Sequence, residues 1–118
     1  MVSIVVRKNR QGRFLGLRCL GHAEFSEKGL DIVCSAISVL TQTTIIALDE
    51  LVGIPLVIEQ NPEAGLLDCG WDAAIAESKQ EQAQLLLKTM CLGLREIERI
   101  YPENISLSEL EVLDHDPF

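Results

Sequence analysis

The sequence predicts a single α+β domain, residues 1–118, with an antiparallel-rich sheet and two helices packed on one of its faces. Short segments of alternating apolar residues predict strands. Two long segments, with apolar residues every three or four positions, predict amphipathic helices. These segments follow one another in the order β-β-α-β-β-α. Two hairpins forming one sheet, with both helices on the same face, is the simplest arrangement for that order.

The first hairpin is predicted from alternation and from turn chemistry. Val2, Ile4 and Val6 alternate with polar residues and predict a first strand. Residues 9–12 (Asn-Arg-Gln-Gly) are typical of a turn. Residues 14–20 are then predicted to form the returning strand.

A long helix is predicted to follow. Its apolar stripe, at spacings of three and four, consists of Val33, Ile37, Leu40, Thr44, Leu48 and Leu51. Asp31 or Ser26 is suited to cap its start, and Gly53 and Pro55 are suited to end it.

The second half predicts another hairpin and another helix. Strands are predicted at residues 54–59 and 66–71, joined by a turn at 61–65 that contains Pro62. A helix is predicted at 78–100, with one apolar face made by Ala83, Leu87, Met90, Leu94 and Ile97. Residues 103–118 are expected to add a short strand or helical turn and then to be loosely ordered.

Composition limits the class of protein. Hydrophobic residues make up 47% of the chain, which excludes an intrinsically disordered sequence. Polar positions at 41–44 and 49–50 interrupt the longest apolar run, so no membrane span is expected. The N-terminus lacks the pattern of a secretory signal. The chain is therefore expected to be soluble and cytoplasmic.

The four cysteines are expected to be reduced in that compartment. They contain no C-x-x-C pair, and only two histidines accompany them, so a structural zinc site is not predicted. Three of the four cysteines are expected to act as small buried hydrophobes.

The charge is unevenly distributed. The net charge is −8, which argues against nucleic acid as the main partner. The first 18 positions hold five of the ten basic residues and no acid. This basic hairpin is interpreted either as an RNA contact or as a solvated turn. The acidic remainder is interpreted either as a surface for a basic partner or as a charge that only keeps the protein soluble.

One stretch carries the candidate chemistry. His22 follows the second strand, and Cys34 comes twelve residues later, near the start of the first helix. A helix N-terminus stabilises a thiolate through its unpaired N–H groups and its dipole. A nearby imidazole can take the thiol proton and return it to a leaving group. A Cys–His catalytic pair is one interpretation; a buried small hydrophobe and a satisfied surface histidine are the other.

Two further residues share the helix face of Cys34. Asp31 and Ser38 lie at the i−3 and i+4 positions. Asp31 can orient the imidazole of His22 or cap the helix, and Ser38 can bond within the site or back to a helix carbonyl.

The segment Gly21-His22-Ala23, a short loop, and then Gly29-Leu30-Asp31-Ile32-Val33-Cys34-Ser35-Ala36-Ile37-Ser38 resembles the signature of the ribosomal-processing cysteine protease family, Prp. The resemblance extends to about Tyr101 and includes the second helix around Leu92-Gly93-Leu94. It implies that His22 and Cys34 are the catalytic dyad, with Gly21, Asp31 and Ser38 beside them. The acidic tail beyond Pro102 departs from the family pattern.

The resemblance also implies what the protein does. Members of the family remove an N-terminal extension from a large-subunit ribosomal protein and form homodimers. A Cys–His mechanism of this kind is expected to require no metal or organic cofactor. The resemblance further implies a mobile loop between the two catalytic residues, and we predict that this loop is a lid formed by Glu24, Phe25, Ser26, Glu27, Lys28, Gly29 and Leu30. Neither a membrane nor a specific nucleic acid is expected as a partner.

Two other functions remain compatible with the residues. One is a non-enzymatic ribosome assembly factor that binds rRNA or a basic ribosomal protein. The other is a thioesterase or acyl-transfer enzyme that uses the same dyad.

Overall fold

The computed structural model describes residues 1–21 and 32–113. These residues form a five-stranded sheet in the order β3-β4-β2-β1-β5. Its strands are β1 (Val2–Lys8), β2 (Phe14–Leu20), β3 (Val57–Asn61), β4 (Leu66–Gly70) and β5 (Ile105–Glu111). Neighbouring strands are antiparallel except β1 and β5, which are parallel. The sheet is therefore mixed, although it is rich in antiparallel pairs as predicted.

The tail adds the fifth strand to the sheet. β5 pairs with β1 along its whole length, from Val2 beside Ile105 to Lys8 beside Glu111. Residues 105–111 are thus a strand of the sheet, which is one of the two elements expected for the tail. The expected looseness of residues 114–118 lies outside the described residues.

The helices are α1 (Ile32–Ala47), which continues as a π-helical turn (Leu48–Val52), and α2 (Glu77–Ile100). They cover one face of the sheet. On that face the side chains of Ile4, Leu17 and Cys69 are fully buried. Gly93 brings α1 and α2 together, because a Cβ added there would lie 2.8 Å from Leu40 Cδ1.

The end of the first helix differs from the predicted stripe. Leu48 is buried as predicted, but Leu51 is 80% exposed and Val52 is buried in its place. A π-helical turn holds an additional residue per turn, so it shifts the buried side by one position. Gly53, at φ +77°, then ends the helix as predicted.

β3 begins later than predicted, at Val57 rather than Ile54. The side chain of Ile54 packs in the core, and the residue is only 2% exposed. Its backbone N–H donates to Leu48 O at 3.1 Å. Pro55 has no N–H to offer to a sheet. The apolar residue at 54 therefore closes the helix end and does not begin the strand.

The continuous helix Ile32–Val52 is long and apolar enough to cross a membrane, by length and composition alone. This differs from the expectation that its polar positions would exclude such a span. One side of it packs into the core through Val33, Ile37 and Leu48. Core helices of globular proteins pass the same test.

The opposite face of the sheet holds a buried ion pair. Arg7 donates from Nη1 and Nη2 to both Asp68 carboxylate oxygens, at 3.0 and 2.9 Å, and from Nη2 to the Cys69 carbonyl at 2.9 Å. Arg18 Nε donates to Asp68 Oδ2 at 2.7 Å. Gly16 leaves room for the Arg7 guanidinium, since a Cβ there would lie 2.5 Å from Nη2.

Candidate active site

A cleft of about 240 Å³ lies between α1 and the β3–β4 side of the sheet. One wall is made by α1, and the other by the end of β2 and by the β3–β4 hairpin. The lining residues are Val2, Cys19, Gly21, Cys34, Ile37, Ser38, Thr41, Gln42, Gln60, Pro62, Gly65, Leu66 and Leu67. Three residues of the predicted site, Gly21, Cys34 and Ser38, therefore meet in one cavity.

Cys34 is the third residue of α1, as predicted, and its half-buried side chain lines the cleft. The first backbone N–H groups of a helix have no partner within the helix. They point towards the N-terminal end, where Cys34 lies, and the helix dipole adds positive potential there. The position is therefore suited to stabilise a thiolate and an oxyanion formed next to it.

The other three cysteines have a different environment. Cys19, Cys69 and Cys91 are buried and reduced. Burial raises the pKa of Cys19 and of Cys69 to about 12, and raises that of Cys91 as well. They act as small core residues, as predicted, and Cys34 is the accessible thiol of the four.

Gly21 fixes the corner of the cleft at the end of β2. Its φ is +101°, and a Cβ would lie 2.5 Å from the Met1 carbonyl oxygen. Its N–H donates to Gly65 O at 3.1 Å, which ties β2 to the β3–β4 hairpin. Only glycine suits this combination of backbone angle and close contact, and Gly21 immediately precedes His22 in the chain.

Ser38 lies one helical turn beyond Cys34 and is exposed on the cleft wall. A back-bond to a helix carbonyl, one of the two roles considered for Ser38, is seen nearby for Thr41, whose Oγ1 donates to Ile37 O at 2.9 Å. Both roles of Ser38 stay predictions.

The remaining predicted site residues lie outside the described residues. These are His22, Asp31 and the predicted lid, residues 24–30. Their proposed roles stay predictions.

Several lining residues were not predicted from the sequence. Gln42 lies two turns beyond Cys34, so helical spacing alone indicates it. Gln60, Pro62 and Gly65 are brought to the cleft by the pairing of β4 with β2, which no local pattern indicates. Within residues 1–21 and 32–113, no group of three His, Cys, Asp or Glu side chains could hold a metal ion.

Comparison with known proteins decides the family. The family model for cysteine protease Prp matches residues 1–106. The chain belongs to this family. The match continues past Tyr101, where the sequence resemblance was expected to end, and includes the first residues of β5.

Curated relatives agree with this assignment. The chain is 30% identical over 110 residues to the ribosomal processing cysteine protease Prp of Staphylococcus aureus, covering 92% of this chain and 98% of that protein. It is 25% identical over 108 residues to the protein of the same name from Bacillus subtilis, covering 92% and 96%.

Solved structures of the family share the fold. The S. aureus Prp protease in complex with a covalently linked product peptide superimposes with a TM-score of 0.82 at 28% identity, covering 93% of this chain and all of that one. The same protease with a substrate peptide gives 0.78 at 27% identity, with 93% of this chain covered. The predicted α+β fold and the predicted cysteine protease class are both confirmed.

Proposed function

We propose that this chain is a cytoplasmic cysteine endopeptidase that removes the N-terminal extension of a large-subunit ribosomal protein. Support comes from the curated relatives, which are named as ribosomal processing proteases. The observation that carries the proposal is the position of Cys34, the accessible thiol in the first turn of α1, within the cleft between α1 and the β3–β4 hairpin.

The reaction follows from this position. Cys34 Sγ attacks the scissile carbonyl carbon while its proton passes to His22, and N–H groups of the first turn of α1 hold the oxyanion. The C–N bond then breaks as His22 gives the proton to the leaving amine. Water, deprotonated by His22, attacks the resulting thioester, releases the new carboxyl end and restores the thiol.

Asp31 and Ser38 support this chemistry in the proposal. Asp31 orients His22 or caps α1, and Ser38 contacts the bound peptide from the cleft wall. Residues 24–30 close over the substrate, which excludes water before the chemical step.

The charge of the chain suits a basic substrate. Ribosomal proteins bind rRNA and are typically basic, and the net charge here is −8. The basic residues of the first hairpin leave little unpaired positive charge for RNA, because most of them are ion-paired. Arg7 and Arg18 bind Asp68, Lys8 binds Glu109, and Arg13 binds Glu77. This pairing disfavours the alternative of an rRNA-binding assembly factor.

A homodimer is part of the proposal. The resemblance implies it, and on α1 Ile46 is exposed whereas its neighbour Ile45 is buried. The structure offers a broader surface: Ile32, Val39 and Ile46 are exposed at intervals of seven residues along α1, which has no charged residue between 32 and 47. An uncharged apolar stripe at heptad spacing is suited to pair with the same stripe of a second copy. Each copy carries a net charge of −8, so an uncharged surface is the favourable one for self-association.

The dimer is tested by Val39→Glu, which places a charge in the middle of the stripe. Sedimentation equilibrium is expected to give a dimer for the parent chain and a 13.1 kDa monomer for the variant. Leu110→Glu, at an exposed position of β5, is the matched control and should remain dimeric. A monomeric parent chain contradicts this part of the proposal.

The activity is tested with the ribosomal protein precursor of the same organism. The parent chain is expected to remove the extension, and Cys34→Ala to abolish cleavage while retaining the fold, as judged by circular dichroism. Cys91→Ala is the matched control and should remain active. A binding factor would bind the precursor without cleaving it and would tolerate Cys34→Ala, and a thioesterase would hydrolyse acyl thioesters in preference to the precursor.

A further inference from the structure

β3 is an edge strand that the described residues leave uncovered. Its only strand neighbour among them is β4. All five of its residues, Val57–Asn61, are exposed. In an antiparallel pair, the backbone groups of alternate residues point away from the partner strand, so β3 presents a row of hydrogen-bonding groups at this edge.

The helix side of β3 forms a shelf that is continuous with the cleft. Ile58 is opposite Cys69, and Gln60 is opposite Leu67. Cys69 is fully buried on the helix side of the sheet, whereas Ile58 is 50% exposed, because the helices do not extend over β3. Gln60 lines the cleft that contains Cys34. A chain lying in the cleft can therefore continue along β3.

The two edges of the sheet differ in protection. β5 carries Glu109 and Glu111, and charged side chains discourage pairing with another strand. β3 has one charged residue, Glu59, between the exposed apolar pair Val57–Ile58 and two amides. Short apolar edges of this kind are suited to accept an extended peptide as an added strand.

We propose that the substrate peptide binds as an added strand along β3, with its backbone on the outward-facing groups of β3 and one apolar side chain over Ile58. This rests on the proposed function. A second copy of the chain fits the edge less well, because a symmetric antiparallel pair centred on β3 would place Glu59 directly opposite its own copy. The continuity of the shelf with the Cys34 cleft favours the substrate.

The backbone part is tested with synthetic peptides that span the processing site of the ribosomal protein precursor. One backbone amide at a time is N-methylated, leaving out the scissile bond and its two neighbours. Added-strand binding predicts alternation: methylation at every second position raises KM about fivefold to tenfold, the effect of one lost hydrogen bond. The positions between change KM little. A similar increase in KM at every position, or no increase at any position, overturns the inference.

The side-chain part uses two adjacent residues of β3 that are similarly exposed but lie on opposite faces. Ile58→Ser is expected to raise KM about fivefold through lost apolar contact, with little change in kcat. Val57→Ser, on the face away from the helices, is the control and should leave KM unchanged. Equal effects of the two substitutions would indicate general weakening of the strand and would contradict the inference.

Failure of the proposed function and failure of added-strand binding give different results. If the parent chain does not cleave the unmodified peptide, the proposed function itself fails and this inference fails with it. If the peptide is cleaved but methylation shows no alternation, only added-strand binding is overturned.

Discussion

Asp68→Asn is expected to destabilise the protein strongly through the buried Arg7. Arg7 is 5% exposed and Asp68 is 3% exposed, so the substitution leaves a buried positive charge without its counter-ion. Removing one partner of a buried ion pair costs about 3–5 kcal/mol. For a domain of this length, 1 kcal/mol corresponds to roughly 4 °C in Tm. A decrease in Tm of about 12–20 °C is therefore expected.

Thermal and urea unfolding at one fixed protein concentration measure this loss. Glu77→Gln, which breaks the exposed pair with Arg13, is the control and should change stability far less. The double substitution Arg7→Met/Asp68→Leu should recover much of the loss, since neither charge then remains buried and unpaired. A loss below about 1 kcal/mol for Asp68→Asn, the range of a surface pair, would refute the reasoning.

Three further outcomes are expected. Iodoacetamide at pH 7 should modify Cys34 before Cys19, as followed by peptide mapping with mass spectrometry, because Cys19 is buried and burial raises its pKa to about 12. Faster labelling of Cys19 would contradict the assignment of Cys34 as the accessible thiol. Burial alone would raise the pKa of Asp68, but hydrogen bonds from the two arginines hold it below its usual value. Ionised Asp68 therefore contributes its full share of the free energy of unfolding above about pH 4. That share is lost as the pH falls through the lowered pKa of Asp68 in the folded state. Urea titrations of parent and Asp68→Asn chains should converge in acid, and a constant gap would refute this. Leu48→Ala should cost about 2–5 kcal/mol, whereas Leu51→Ala, at an 80% exposed position, should be nearly neutral in the same assay.

Local patterns predicted most of the secondary structure. The β1–β2 hairpin and α2 are formed within one or two residues of the predicted bounds. Alternation and helical periodicity determine these elements directly, because each buries one side against the same core. The predicted position of Cys34 in the first helical turn is confirmed for the same reason.

Long-range pairing accounts for what the sequence did not indicate. β5 joins β1 only after α2 has returned the chain to that edge, so the apolar residues Ile105 and Leu107 have no local signal of their partner. The hairpin wall of the cleft likewise depends on β4 lying beside β2. The π-helical turn that exposes Leu51 interrupts an otherwise regular stripe, and no local pattern indicated it.

The most direct test of the central claim is capture of the acyl-enzyme. The parent chain is mixed with the ribosomal precursor peptide, quenched in acid within milliseconds to seconds, and mapped by mass spectrometry. The account predicts a thioester that joins the N-terminal product to Cys34, with the C-terminal product already released. Efficient cleavage with no adduct on Cys34, or with the adduct on another residue, would contradict it.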